Sequence, residues 1–344
     1  MKSLDILNNS STFIIAELSA NHGGDIEIAK ETIRAAKRAG ADAIKLQTYT
    51  ADTITIDGKQ DHFKITQGTF WDGQYLYDLY KEASLPWEWH KTLFDTAKEE
   101  GLICFSSPFD FTAVDFLEEL NCPIYKVASF EITDIPLIKY IASKGKPIII
   151  STGIASLEDI ELAIEACKSE GNNDITILKC TSAYPADPAD ANLLTIPDII
   201  NRFGVKSGLS DHTLGIEAPI VAVCLGGTVI EKHFILDKKI GGADAHFSLD
   251  EKEFKEMVDA VRKAELLKGN VDYEITEKKK KSREFSRSLF IVKNVKSGDV
   301  ITEENVRSIR PGYGLHPKYY KEVLGRKFVV DQKKGTPLSF DCFK

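Results

Sequence analysis

The chain has 344 residues, 43% of them hydrophobic and 28% charged, with a formal net charge of −8. That is too long for one ordinary domain and enough for a barrel of about 250 residues plus a smaller module. The apolar fraction is that of a soluble globular protein, and the acidic balance argues against a general nucleic-acid binder. One basic run, Lys278-Lys279-Lys280-Lys281-Ser282-Arg283, reads as a solvated linker or helix end rather than a polyanion site. The six cysteines show no C-x-x-C spacing, and several lie inside apolar runs, so neither a disulfide framework nor a structural zinc site is suggested. No secretory leader pattern opens the chain, and no stretch approaches about 18 uncharged apolar residues. The expectation is a cytoplasmic protein with no membrane and no nucleic-acid partner.

In chain order, Phe13-Ile14-Ile15 opens a strand that stops at Ala16-Glu17. Ile26 to Ala39 follows with apolar residues at helical spacing, and Gly40 stands as its stop. Seven more short apolar runs end in polar residues. Those ends are Lys45-Leu46-Gln47, Ser106-Ser107, Lys126-Val127-Ala128-Ser129, Ser151-Thr152, Lys179-Cys180-Thr181-Ser182, Ser210-Asp211-His212 and Glu231-Lys232-His233. A parallel strand buried on both faces reads as a continuous apolar run, so polar chemistry collects where the strand stops. Eight such stops, each followed by a helix-length stretch, predict a (β/α)8 TIM barrel read along its catalytic rim.

The second unit is long. Between Thr48 and Pro86 lies an insertion bearing Phe63, Phe70, Trp71, Tyr75, Tyr77 and Tyr80, which reads equally as a substrate lid or a self-packed loop. A helix over Lys252–Lys268 closes the barrel. These features predict a barrel domain at 1–270, a linker at 271–285 and a small second module at 286–344, with β-like runs at Leu289–Val292 and Lys327–Val330.

Lys45, Lys126 and Lys179 end strands. Such a lysine is a Schiff-base nucleophile, a fixed cation for phosphate or carboxylate, or a buried structural group. Several of them, with Ser107, Ser129, Ser151, Ser182 and Ser210 at neighbouring strand ends, favour the binding of a small polyanion. His212 and His233 end the seventh and eighth strands, about 4.8 Å apart, where two imidazoles suit one divalent ion. Asp244 is a candidate water-mediated partner of that ion, and the oxygen-rich surroundings favour manganese or magnesium over structural zinc. Glu17 and Asp211 are rim carboxylates open to either a general-base or an orienting role. His22 lies in the first loop as a substrate contact or a loop cap.

These motifs together resemble the sialic acid synthase family. The resemblance runs from Ala16-Glu17-Leu18-Ser19-Ala20-Asn21-His22 through Tyr184-Pro185 to Glu231-Lys232-His233-Phe234, and covers nearly the whole chain. Arg287-Ser288-Leu289 and Arg310-Pro311-Gly312 resemble the antifreeze-like (SAF) domain of that family. Leu18–His22, Lys45–Thr50, Trp87-Glu88-Trp89-His90 and Phe247-Ser248-Leu249 are most similar to its pseudaminate-forming branch. Gly242-Ala243-Asp244-Ala245-His246 departs from that branch, which usually has proline before the aspartate and serine after it.

The resemblance implies an enzyme that condenses phosphoenolpyruvate (PEP) with an open-chain amino sugar and uses a divalent metal, Mn2+ or Mg2+. His212 and His233 would hold the metal, and Glu17 would sit near PEP C2, with Asp244 beside the metal and the sugar. Lys45, Gln47, Ser107, Lys126, Ser129, Ser151, Ser182 and Ser210 would bind PEP. Asn21, His22, Tyr184, Asp244 and Arg310 would face the sugar, Arg310 reaching it across a domain-swapped homodimer. The sugar of that branch is 2,4-diacetamido-2,4,6-trideoxy-L-altrose, whose missing C6 hydroxyl suits an apolar patch such as the aromatic insertion. Sister activities toward N-acetylneuraminate or N,N'-diacetyllegionaminate are the nearest rivals. A Schiff-base aldolase using Lys126 or Lys179 and a passive sugar-binding protein are more distant.

Overall fold

Eight strands whose side chains are buried on both faces have one way to leave no edge, which is to close on themselves. The computed structural model, which describes Leu7, residues 11–66, Gly68 and residues 71–344, shows that closure. Phe70 of the insertion lies outside the described residues. The strands are β1 Phe13–Glu17, β2 Ala43–Thr48, β3 Ile103–Pro108, β4 Tyr125–Val127, β5 Ile148–Ser151, β6 Ile175–Cys180, β7 Lys206–Asp211 and β8 Val229–His233. They run parallel in sequence order, and β1 pairs with β8 to complete the ring.

Helices fill the connections: α1 Ile26–Arg38, α2 Ala51–Ile54, α3 Leu76–Ala83, α4 Trp87–Glu99, α5 Phe111–Glu119, α6 Ile135–Ala142, α7 Leu157–Ser169, α8 Thr195–Phe203, α9 Glu217–Cys224 and α10 Glu251–Lys268. Their starts follow from local chemistry. Asp25, Asp110, Asp134, Ser156 and Asp250 each accept a backbone N–H of the first helical turn. Gly40, at φ +91°, makes the left-handed turn out of α1 toward β2. Ile14, Ile44 and Ile230 pack with Ile33, Phe254 and Met257 in one apolar cluster between strands and helices.

The insertion after β2 holds α2 and α3 joined by a Lys64–Tyr75 bridge. It is partly self-packed, since Tyr77 donates to Asp52 and the Tyr80 ring meets Tyr49 at 6.0 Å.

The chain divides into two compact units, Met1–Gly269 and Asn270–Lys344. The second opens with α11 Glu277–Arg283, so the lysine-rich stretch read as a linker carries a helix capped by Thr276. β9 Ser288–Ile291 and β10 Val306–Ile309 form an antiparallel pair, and a short helix, α12, spans Tyr320–Val323. The second β-like run, Lys327–Val330, makes only isolated bridges, to Val300 and Phe343. Leu289, Ile291, Val306, Phe328 and Leu338 give this unit a core of its own.

Candidate active site

Register places the site. Glu17 on β1 lies opposite Lys45 on β2 on one side and His233 on β8 on the other. Ser210 lies opposite Glu231, and Asp211 opposite Lys232. Because side chains alternate along a strand, Glu231 and His233 point one way and Lys232 the other. The result is two separate ionic layers at one end of the barrel.

The inner layer is a buried charge cluster. Lys45 Nζ pairs with Glu17 at 2.6 Å and with Glu231 at 3.2 Å. Lys126 Nζ donates to Ser151 Oγ at 2.6 Å and to the Val127 carbonyl, and stands 3.8 Å from Glu231. Ser210 donates to Glu231, and Gln47 donates to Glu17 and to Ser19. Burial pulls the Lys45 ammonium down to about 8, with Glu231 opposing that shift and Lys126 adding to it. Burial alone would raise Glu231, but Lys126 and Lys45 outweigh it and hold the carboxyl below its ordinary value. Beside this cluster Ser182 Oγ donates to Ser129 Oγ at 2.9 Å, and the fully buried Ser107 hydroxyl has no hydrogen-bond partner. Gly153 makes that cradle possible, since a Cβ there would lie 2.0 Å from Ser182 Oγ and 2.6 Å from Ser129 Oγ.

The imidazole pair adjoins the cluster. The His212 and His233 rings are 5.2 Å apart, centre to centre. His212 Nδ1 faces the Thr181 carbonyl at 3.0 Å, which fixes the proton there and leaves Nε2 bare. His233 Nδ1 is buried without a hydrogen-bond partner, 3.5 Å from Asp244 Oδ2. Tyr184 packs on His212 at 4.5 Å, and Phe247 on His233 at 4.8 Å. Among the described residues no group of three or more His, Cys, Asp or Glu is placed to hold a metal, so the protein itself offers two imidazoles.

The outer layer is structural. Lys232 and Asp211 form a fully buried ion pair, closed by Thr213, whose N–H and hydroxyl donate to Asp211. Asp211 is thus engaged by Lys232 and Thr213. Lys179 also stands apart from the cluster. Its Nζ donates to the Cys180 carbonyl and to Thr181, while Cys180 on the opposite face meets His212 at 3.8 Å.

The loop residues divide likewise. Asn21 uses its amide N–H groups to tie the Phe234 carbonyl and Ser248 together. His22 is 3% exposed, accepts the Gly24 N–H at Nδ1 and packs edge-on to Trp89. Arg310 belongs to the second unit, where it lines a groove with Lys278, Lys279 and Arg283. Two carboxylates of this region went unassigned from sequence. Glu231 is one. Glu131, just after Ser129, is the other: its Oε2 is buried and unpaired, and burial raises it to about 7 against the pull of Lys126.

Residues 32–273 match the NeuB family over most of the chain, and residues 286–344 match the SAF domain. The chain belongs to the NeuB family. Among its relatives is a pseudaminic acid synthase of Campylobacter jejuni, 49% identical over 98% of each chain. Another, from Helicobacter pylori, is 50% identical over 95% of this chain and 96% of its own. A crystal structure of an N-acetylneuraminic acid synthetase from Leptospira borgpetersenii, in complex with citrate, shares 30% identity and superposes with a TM-score of 0.71. That likeness covers 79% of this chain and 90% of the other. The expected TIM barrel with a C-terminal SAF domain is thus borne out.

Proposed function

We propose that this NeuB-family enzyme is a pseudaminic acid synthase, joining PEP to open-chain 2,4-diacetamido-2,4,6-trideoxy-L-altrose and releasing phosphate. One observation carries it: a paired-lysine cradle and two adjacent imidazoles share one barrel mouth, in a chain half identical over nearly its full length to pseudaminic acid synthases.

PEP carries about three negative charges and needs at least two cations in a dry site. Lys45 and Lys126 supply them, and Ser107, Ser129, Ser151, Ser182 and Ser210 supply hydroxyls to its phosphate and carboxylate. Without substrate, Glu17 and Glu231 neutralise the lysines, which keeps two buried cations tolerable. PEP C3 attacks the aldehyde carbon, and positive charge develops at C2. Glu17, oriented by Gln47, faces that carbon, steadies the charge and takes a proton from the water that adds there. The tetrahedral adduct then loses phosphate by C–O cleavage. Asp244 and Tyr184 face the sugar.

A divalent cation fits the imidazole pair, because His233 Nδ1 is buried with nothing nearer than the Asp244 carboxylate at 3.5 Å and His212 is held in the tautomer that leaves Nε2 unprotonated. His212 and His233 would hold Mn2+ or Mg2+, which supplies Lewis-acid polarisation of the aldehyde oxygen when bound.

The same reading gives the second unit a task. In a domain-swapped homodimer it caps the partner's barrel, and Arg310 reaches an acyl group of the partner's sugar. A fully active monomer in sedimentation would rule that out. Among the described residues no helix is long and apolar enough to cross a membrane, and a cytoplasmic enzyme fits the use of PEP.

The test is phosphate release from PEP against the sugars that lead to pseudaminate, legionaminate and neuraminate, with and without chelator. Release with the first alone, lost in EDTA and restored by Mn2+ or Mg2+, is expected. Preference for either other sugar overturns the substrate assignment. Borohydride trapping together with full activity in EDTA would establish the Schiff-base alternative.

A further inference from the structure

Ser19 is held in a conformation that serine avoids. Its φ is +46°, in the left-handed region where a Cβ crowds the backbone. Among the described residues the other non-glycine positions of this kind are Asn121 and Asn192, and asparagine is a residue type that tolerates it. Ser19 is 7% exposed, so it is not a surface turn. Strain that persists in a buried loop is imposed by its surroundings, and the surroundings of Ser19 are the site.

Three elements meet there. Gln47, near the end of β2, donates from Nε2 to Glu17 Oε1 at 3.1 Å and to Ser19 Oγ at 3.0 Å. An amide nitrogen only donates, so Ser19 Oγ accepts and its own proton is left for another acceptor. Asp244, in the loop after β8, is the carboxylate beside it. Burial would raise the Asp244 carboxyl, and His233, the Ser19 hydroxyl and the Ala20 N–H hold it below its ordinary value. Separate contacts keep Asp244 in place. Asn21 donates to Ser248 Oγ at 2.8 Å, and Ser248 donates to the Asp244 carbonyl at 2.7 Å. Asp244 Oδ2 stands 3.5 Å from His233 Nδ1. A line of contacts thus runs from Glu17 through Gln47 and Ser19 to Asp244 and His233.

Glycine would adopt this turn without strain. What the side chain adds is the hydroxyl in the middle of that line. The direction of the Cα–Cβ bond depends on φ, so a relaxed backbone would carry Oγ away from Gln47. Ala20, next in the chain, lines a cavity of about 580 Å³ with His22, Trp71, Glu82 and Ile240, whereas the Ser19 hydroxyl turns inward to Gln47. We propose that Ser19 is a positioning residue, whose hydroxyl holds Gln47 on Glu17 and so fixes the base relative to Asp244. The inference rests on the synthase reading, in which Glu17 takes a proton from the water that adds at PEP C2, and extends it to a residue that acts through Gln47.

Ser19→Gly and Ser19→Ala both delete the hydroxyl, and only the first relieves the backbone. Each is assayed for phosphate release well below its melting temperature, on whichever of the three sugars wild-type enzyme turns over. In both variants kcat should fall tenfold or more, with KM for PEP and for the sugar within threefold. Ser19→Gly should nonetheless melt about 2–4 °C above Ser19→Ala, because it alone removes the crowded Cβ. A merely structural role would instead make the rate follow the melting temperature. Crystal structures of the two variants should show the Gln47 amide turned away from Glu17. A folded Ser19→Gly enzyme with kcat within twofold of wild type would overturn the proposal. So would a rise in either KM without loss of kcat, or loss of kcat with Gln47 unmoved. Wild-type enzyme that releases phosphate only with a sugar other than the diacetamido one refutes the substrate assignment and leaves this test in force. Release with none of the three refutes the synthase reading, and this inference with it.

Discussion

Gly153→Ala isolates the hydroxyl cradle from every charged group in the site. Gly153 does not have a left-handed φ, so the substitution adds one methyl and no backbone strain. That methyl would stand 2.0 Å from Ser182 Oγ and 2.6 Å from Ser129 Oγ, where 3.4 Å is ordinary contact. The Ser182 hydroxyl must retreat by 1.4 Å, the difference, and its bond to Ser129 at 2.9 Å breaks. A hydrogen bond to a charged group is worth roughly 2 kcal/mol, so displacing one hydroxyl from the phosphate weakens PEP binding about 30-fold. Displacing both approaches about 1,000-fold on the same scale. Overpacking costs about 1–3 kcal/mol of stability, a few degrees in Tm for a barrel this size. Phosphate-release kinetics at saturating sugar should show KM for PEP up by 30-fold or more, with KM for the sugar within twofold. The double variant Gly153→Ala/Ser182→Ala removes the closest clash, so Tm should recover while PEP affinity does not. A well-folded Gly153→Ala enzyme with wild-type KM for PEP would refute the idea that these serines hold the phosphate.

Lys45 makes PEP affinity sensitive to alkaline pH. Its ammonium is pulled by burial to about 8 from an ordinary 10.5, so in the free enzyme it is charged below pH 8 and loses charge above it. KM for PEP should climb above pH 8 toward tenfold per unit, and Lys45→Arg should flatten that climb. Stability responds with the opposite sign. The folded chain releases this proton more readily than the unfolded one, so Lys45 opposes folding below pH 8 and the penalty fades between 8 and 10.5. A KM profile flat to pH 9.5 would sink the assignment. Asp211→Asn leaves the buried Lys232 ammonium without a counter-charge, and should cost about 3–5 kcal/mol of stability by calorimetry. Replacing both partners, Asp211→Leu with Lys232→Met, should recover most of it. A single variant within about 1 kcal/mol of wild type would show that the pair does not hold the strands.

The barrel was legible because parallel strands are buried on both faces. Runs such as Ile148-Ile149-Ile150 leave no alternation for another reading, and their polar ends mark the rim. The same property hid the site's inner detail. When both faces are apolar, nothing in the sequence says which of two neighbours at a strand end points inward. Lys179 and Cys180 illustrate this: the lysine looks like a third cradle cation, yet the cysteine takes the inner face. Glu231 and Lys232 are the same case on β8, where the partner of the two lysines is the glutamate and the lysine belongs to a separate pair. Gly153 was invisible for another reason. Its importance lies in the approach of Ser129 and Ser182, residues about 25–30 positions away on two other units. The lysine-rich stretch at 278–283 reads as linker by composition, and its helix depends on the Thr276 cap rather than on any apolar stripe. Trp87 and His90 read as branch markers. In the fold they brace the second loop, through the Tyr49 carbonyl and Thr48.

The two halves of the mouth differ in what they are made from. The anion cradle and the imidazoles stand on the strands or within two residues of their ends, interlocked by register and by the Asp211–Lys232 pair. The cavity lined by His22, Trp71, Glu82 and Ile240 is walled by connecting segments, which tolerate insertion and exchange far better than a closed sheet does. Variation can therefore reshape the cavity without disturbing the groups fixed on the strand ends. A lineage built this way can reshape the cavity by editing loops, while the machinery underneath stays fixed.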